Sequence, residues 1–435
     1  MHDAALRAMA LSRLPTELIE HITTYLDLPN SRSLRLTSPS LSKQTSHVFK
    51  DRFFRQHTLQ WTEAAFIRLL EITSHPHFGN AIQHLIVDAT PRHSIHLWQA
   101  QIRISETKGI ATPYGTASAT RDLEVRYIAD YTASEEVAKF FSETRFDRKS
   151  LVTIFERLEH LDVITFAYDG MHVKYAKFCT RYCKSSQQEM SRPFVSTMSA
   201  IAESKVQVRR IQVDSDKAFG AVSIGKLETL APSLRYFDHA FEKLNTLQLH
   251  LRDLRSSVSG FEIDTTRAPF VVRFLAKARN VRRLELSCYS ILEMDVFGEM
   301  ARHCHFEKLE ECKLSVMRIM NGDELLTLLK PAEITLRLLS LRYIMNSDPY
   351  NTWRHILSRV AKEEDVLPRL DRLHLGCLIS DSRRRVWMNE LQVQSFAGDD
   401  WRGHLSHALD QYKTKAADSS WSLGALAYPF VGLSV

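Results

Sequence analysis

The chain has 435 residues, enough for one large domain or two to three ordinary ones. With 44% hydrophobic and 25% charged residues it has an ordinary globular composition, and a core without disulfide staples is expected. The formal net charge of +6 is mild for this length and no dense Lys/Arg block accompanies it, so nucleic acid is not an expected partner. No apolar run reaches the roughly 18 residues of a membrane span, so no membrane partner is expected either.

The six cysteines, Cys179, Cys183, Cys288, Cys304, Cys312 and Cys377, form no C-x-x-C pair. The opening "MHDAALRAMALSRL" carries Asp3 and Arg7 where a secretory signal would be uninterrupted and apolar. The cysteines therefore read as reduced thiols, and a cytoplasmic and/or nuclear location is expected. The longest basic run, "RRR" at 383–385, reads as a solvated loop or helix end.

In chain order, "LSRLPTELIEHITTYL" (11–26) comes first. Pro15 suits a first helical turn, and Glu17 complements the positive end of the helix. Leu14, Leu18, Ile22 and Leu26 recur every four residues beside Ile19 and Tyr25, a sector wide enough for one internal and one external contact. "DLPNS" (27–31) breaks the helix, and Ser38-Pro39 is a second start signal. Leu41, Thr45, Val48 and Phe49 keep helical spacing toward Phe53 and Phe54. Three short helices are expected, with Ile22 and Leu36 read as internal. Such a unit buries little by itself.

"LPTELIEHITTYLDLPNSRSLRLTSPSL" resembles the F-box: Leu14, Pro15, Glu17, Leu18, Ile22, Tyr25, Leu26, Leu34 and Leu36 fall on its pattern. Thr37 and Leu41 replace the family's later valine and aromatic residue. The resemblance, over residues 11–55, implies docking on a Skp-type adaptor and through it a cullin. It places Leu14, Pro15, Leu18, Ile19, Ile22, Leu26 and Leu34 in or near that contact. Burying four or five such side chains, at about 1.5–3 kcal/mol each, would sustain a stable interface.

Beyond the front segment an L-x-x-L-x-L pattern repeats: "IQHLIV" at Ile82, "LEHLDV" at Leu158, "VRRIQV" at Val208, "LNTLQL" at Leu244, "VRRLEL" at Val281, "LEECKL" at Leu309, "LRLLSL" at Leu336 and "LDRLHL" at Leu370. Alternation of apolar and polar residues predicts strands. "WTEAAFIRLLEI", "SLVTIFERL", "RAPFVVRFLAKA", "EMDVFGEMARHC", "GDELLTLLK" and "TWRHILSRVAKE" read as helices between them. "ETKGIATPYGTASATRD" (106–122) and "TRYCKSSQQEMSRP" (180–193) read as loops, and 416–435 as a tail that frays.

Strand and helix alternating at a 27–37 residue period in the later copies predict stacked parallel units. This resembles an irregular leucine-rich repeat of the kind joined to F-boxes in filamentous fungi. The usual Asn or Cys after each strand is missing. The expected fold class is α/β: a three-helix F-box at 11–55, then a solenoid at 60–415 with parallel strands on its concave face and helices on its convex face. In each hexamer the third and fifth side chains would point outward into the concave face. That row contains His160, Arg210, Gln248, Arg283, Lys313, Arg372 and His374 as candidate target contacts. Arg210 and Arg283 have the forked donors that read acidic or phosphorylated motifs.

Bond-making chemistry is not evident. "HCHFEKLEEC" (303–312) sets Cys304 and His305 side by side at a helix end and Cys312 in a strand, a poor zinc arrangement. No G-x-S-x-G, G-x-x-x-x-G-K-[ST] or H-E-x-x-H occurs. No metal, cofactor or catalytic residue is expected. The expected role is a non-catalytic substrate receptor of a ubiquitin ligase. The alternatives are a scaffold that acts without ubiquitin transfer, or an enzyme of unrecognised type with a helical cap.

Overall fold

The computed structural model describes residues 11, 13–75, 78–109, 116–168, 184–214, 222–252, 268–288, 296–348, 350–380, 385–387, 394–398, 400–411 and 415–416. The tail beyond 416, Cys179, Cys183 and most of the 383–385 basic run lie outside them.

Among the described residues, four short helices span 16–53: α1 (Thr16–Thr24), α2 (Leu28–Thr37), α3 (Pro39–Gln44) and α4 (Ser46–Phe53). Pro15 sits at the cap of α1. α1 ends at its cap Tyr25, and Asp27 begins the next helix, its Oδ1 accepting the Asn30 N–H at 2.9 Å. The Ser38 hydroxyl accepts the N–H groups of Ser40 and Leu41 at the start of α3, as its sequence signal predicts. The expected third helix is split at Thr45, which is why there are four.

The unit's apolar interior is small: Ile19, Leu41 and Phe49, with Thr23, Ser31 and Thr45 buried beside them. The two threonine hydroxyls donate to the carbonyls of Ile19 and Leu41, each at 2.7 Å. Arg35 lies 4.3 Å over the Phe49 ring and donates to the Ser42 carbonyl. Arg52 donates to the Thr23 and Leu26 carbonyls, the first of which also accepts the Leu26 N–H at 3.1 Å, and so pins the chain just past the end of α1. Phe54 stacks on Phe78 with ring centroids 4.5 Å apart, which ties the unit to the chain beyond it.

Among the described residues the strands form one fourteen-stranded sheet. β1 (Gln56–Gln60), β2 (His84–Asp88), β3 (Val163–Ala167), β4 (Arg210–Val213), β6 (Thr246–Arg252), β7 (Arg283–Cys288), β8 (Glu311–Ile319), β9 (Leu338–Asn346) and β10 (Arg372–Gly376) lie side by side and all parallel. The two-residue β5 (Val222–Ser223) pairs with the end of β6. β11 (Leu378–Ser380) continues along β9, β12 (Arg385–Trp387) runs antiparallel to it, β13 (Gln394–Ala397) runs antiparallel to β10, and β14 (Lys415–Ala416) joins β12. β1 has no counterpart among the predicted strands.

The hexamer pattern holds with one correction. Its first, fourth and sixth residues are buried in each repeat, from Ile82, Leu85 and Val87 to Leu370, Leu373 and Leu375. Backbone N–H groups at the second position form a ladder: Arg209 donates to Asp162 O, Asn245 to Arg209 O and Arg282 to Asn245 O, each at 2.8 Å. Asp162 in turn donates to Gln83 O at 2.8 Å, so it holds the second position of its repeat. The hexamer is therefore "LDVITF" at Leu161, three residues later than the expected "LEHLDV". His160 falls in the turn before β3 and is not part of the strand row.

The predicted helices correspond to Glu63–Ser74, Phe146–Arg157, Phe270–Leu275, Val296–His303, Asp323–Leu329 and Trp353–Lys362. Both predicted loops are largely helical instead. Arg92–Gly109 and Thr116–Thr144 form a helix pair inserted between β2 and β3, with 110–115 outside the described residues. Lys184–Ser204 is one helix that includes Pro193, with 180–183 outside. Long-range side-chain bonds hold that helix. Glu189 accepts the N–H groups of His93 and Ser94 at the start of Arg92–Gly109, each at 3.1 Å. Arg192 donates to both oxygens of Asp147 at 2.7 and 3.3 Å.

A backbone irregularity recurs across three neighbouring strands. Val316, Tyr343 and Cys377 have φ of 56°, 54° and 49° at the same level of the sheet. The alternation restarts one residue late at each, so that Leu314 and Met317, Leu341 and Ile344, and Leu375 and Leu378 are all buried. A left-handed conformation is unusual for a β-branched residue such as Val316, and it re-aims the side chains on either side.

Candidate docking surfaces

The first surface is the outside of the N-terminal unit. Its small interior leaves large apolar side chains in the open: Leu18 is 51% exposed, Tyr25 77% and Leu36 87%, with Ile22 and Leu28 also exposed. Leu14, Leu26 and Leu34 are half-buried and Pro15 is exposed. Ile19, expected at the adaptor contact, is only 1% exposed and packs in the unit's own interior. Leu36, expected inside, projects outward, and so does Ile22. These corrections have one cause: Leu18, Ile19 and Ile22 share helical periodicity, and spacing alone does not say which side faces Leu41 and Phe49.

The second surface is the sheet face opposite the buried hexamer positions. Register places Val163, Arg210, Thr246, Arg283, Glu311, Leu338 and Arg372 in one row. A second row runs through Gln248, Glu285, Lys313, Ser340 and His374, and a third through His250, Ser287, Ser315, Arg342 and Gly376. Six of the seven expected target-contact residues, all but His160, therefore share this face.

Much of its charge is already paired. Arg283 lies 3.5 Å from Glu311, and Lys313 lies 3.6 Å from Glu285. Gln248 accepts the Val213 N–H at 3.0 Å and donates to Glu285 at 3.3 Å, so it links strands. Burial pushes the Glu285 carboxyl up, but His250 and Lys313 beside it outweigh burial and hold it below its ordinary value. At the N-terminal end, burial and then Arg210 hold the His84 imidazole below its usual value, and its Nε2 lies 2.8 Å from the Thr165 hydroxyl.

Among the described residues no group of three His, Cys, Asp or Glu side chains is placed to hold a metal ion. Cys304 and Cys312 are buried, and burial pushes each thiol up to about 12. No helix among the described residues is long and apolar enough to cross a membrane.

The N-terminal unit thus combines a small interior with exposed apolar side chains. Residues 11–51 match the family model described as the F-box domain, so the chain carries an F-box at its front. No curated protein matches the chain.

Proposed function

We propose that this chain is the substrate-recognition subunit of a cullin-type ubiquitin ligase. An F-box implies docking on a Skp-type adaptor, and the observation that carries the reading is the open apolar patch of Leu18, Ile22, Tyr25, Leu28 and Leu36. Leu14, Pro15, Leu26 and Leu34 border that contact, and Ile19 supports it from beneath. The adaptor then bridges to a cullin.

The remainder, residues 60–415, is a solenoid of leucine-rich-repeat type. The recurring hexamer, the strands in chain order and the helix between most successive strands support this reading. Its open strand face holds the target protein. Catalysis of ubiquitin transfer belongs to a conjugating enzyme that the chain does not contain. The chain contributes proximity, raising the effective concentration of target lysines near that enzyme.

Affinity purification of the tagged chain with mass spectrometry, beside a Leu18→Glu variant, tests the proposal. Adaptor and cullin are expected with the unaltered chain and absent with the variant, while target proteins are captured by both. Adaptor without cullin would point to a scaffold that acts without ubiquitin transfer. Retention of the adaptor by the variant would refute the docking assignment.

A further inference from the structure

The open sheet face is not uniform. From β7 to β8 each cation has a carboxylate beside it: Arg283 has Glu311, and Lys313 has Glu285. The next two strands add Arg342 and Arg372, both exposed, and no carboxylate comes within ion-pair distance of either among the described residues. At their centre is Ser340, 6% exposed. Register sets Lys313 on one side of it and His374 on the other. Neighbouring strands lie about 4.8 Å apart and alternate residues about 6.6 Å apart along a strand. Arg342, two residues along on β9, and Arg372, diagonal on β10, are thus within side-chain reach of the same point.

Two further features shape this spot. His374 Nδ1 lies 2.8 Å from the Ser395 hydroxyl, which fixes the ring at the edge of the cluster. The left-handed residues Val316, Tyr343 and Cys377 directly succeed Ser315, Arg342 and Gly376, so the strands kink in unison beside it. Burial first, and then Arg342, Arg372 and Lys313, hold the His374 imidazole below its ordinary value.

We infer that Lys313, Arg342, Arg372 and His374, arranged around Ser340, form a receptor for a single anionic side chain in an otherwise neutral peptide segment of the target. Forked guanidinium donors and a serine hydroxyl match the oxygens of a carboxylate or a phosphoryl group. A polypeptide fits better than a nucleic acid. Glu285 and Glu311 flank the cluster and would repel a polyphosphate strand continuing past it, whereas a peptide can present one anion and neutral neighbours. The inference rests on the reading of this face as the target-holding surface.

Fluorescence anisotropy with the full chain tests it, using a labelled peptide with a single Glu among neutral residues, its Gln counterpart, a version with phosphoserine in place of the Glu, and a single-stranded DNA. The acidic or the phosphoserine peptide is expected to bind and the neutral one not to, and comparing the two anionic peptides tells which oxygen group is read. The Arg342→Gln/Arg372→Gln double variant should lose about a hundredfold in affinity, with Arg126→Gln, exposed on the inserted helix Thr116–Thr144, unchanged. Should the double variant be unstable, Arg342→Lys/Arg372→Lys keeps the charge but loses the forked donors, and is expected to bind more weakly than the parent by about tenfold, with unchanged affinity counting against the inference. The His374 imidazole, monitored by NMR, should titrate at higher pH once the peptide is bound, because the added anion offsets the three cations. Binding unaffected by the double substitution, no binding of either anionic peptide, or DNA bound at least as tightly through the same arginines would overturn the inference. Adaptor capture by the double variant separates the two readings. If capture persists while peptide binding never occurs, only the peptide site fails. If peptide binds but adaptor is never captured, only the ligase reading fails.

Discussion

Leu18 and Ile19 are adjacent in sequence and opposite in role. Among the described residues Ile19, Leu41 and Phe49 are the apolar side chains enclosed in the N-terminal unit, so Ile19→Ala opens a cavity in a small interior. A loss of about 2–4 kcal/mol in the local stability of residues 16–53 is expected. Amide hydrogen exchange in α1 and α4 reads this directly, and exchange unchanged from the parent would contradict the packing described. The sequence carries the helical period of these residues legibly, but not its phase. Leu36 shows the limit most plainly. A leucine at helical spacing reads as core unless the surface that covers it belongs to another molecule.

Between elements, legibility depends on whether local preference agrees with long-range contacts. The hexamer strands are readable because apolar and polar residues alternate over a length that suits a strand. At β3 two frames compete: Leu158, Leu161 and Val163 fit the pattern as well as Leu161, Ile164 and Phe166, and only the backbone ladder through Asp162 decides. The helix Lys184–Ser204 is not readable, since its Ser, Gln and Pro content favours a loop. Contacts distant in sequence, such as Arg192 with Asp147, stabilise it. Asp147 is 1% exposed, and its carboxylate also accepts the Ser196 hydroxyl at 2.8 Å. Asp147→Ala would leave Arg192 without its partner. Because Arg192 is partly solvated, a cost of about 2–4 kcal/mol is expected, toward the low end for broken buried pairs. Urea unfolding measures it, and a change below about 0.5 kcal/mol would show that the pair is dispensable.

For the molecule as a whole, several titrating groups push stability the same way with pH. His57, His84 and His374 all lie below the usual imidazole value of 6.5, chiefly through burial, with Arg68, Arg210 and the Arg342, Arg372 and Lys313 group adding to it. The unfolded chain therefore takes up protons before the folded one does. Stability is full above about pH 6.5–7 and declines as pH falls below that value. Glu285, held below its ordinary 4.5, extends the loss to lower pH, because its contribution is present above the unfolded value and disappears as the folded carboxylate is protonated. The melting temperature should be level from about pH 8 to 7 and fall steadily below about 6.5. A melting temperature that rises on acidification would mean these imidazoles are not held neutral. Composition and charge carry no sign of this behaviour, since it arises from which histidines the sheet buries beside which arginines.

Calorimetric titration of a purified Skp-type adaptor into the full chain bears most directly on its role. The unaltered chain should bind, and Leu18→Glu and Leu36→Glu should each weaken binding at least about tenfold with no change in melting temperature, because both side chains face outward. Adaptor affinity equal to the parent's in both variants would contradict docking through this patch.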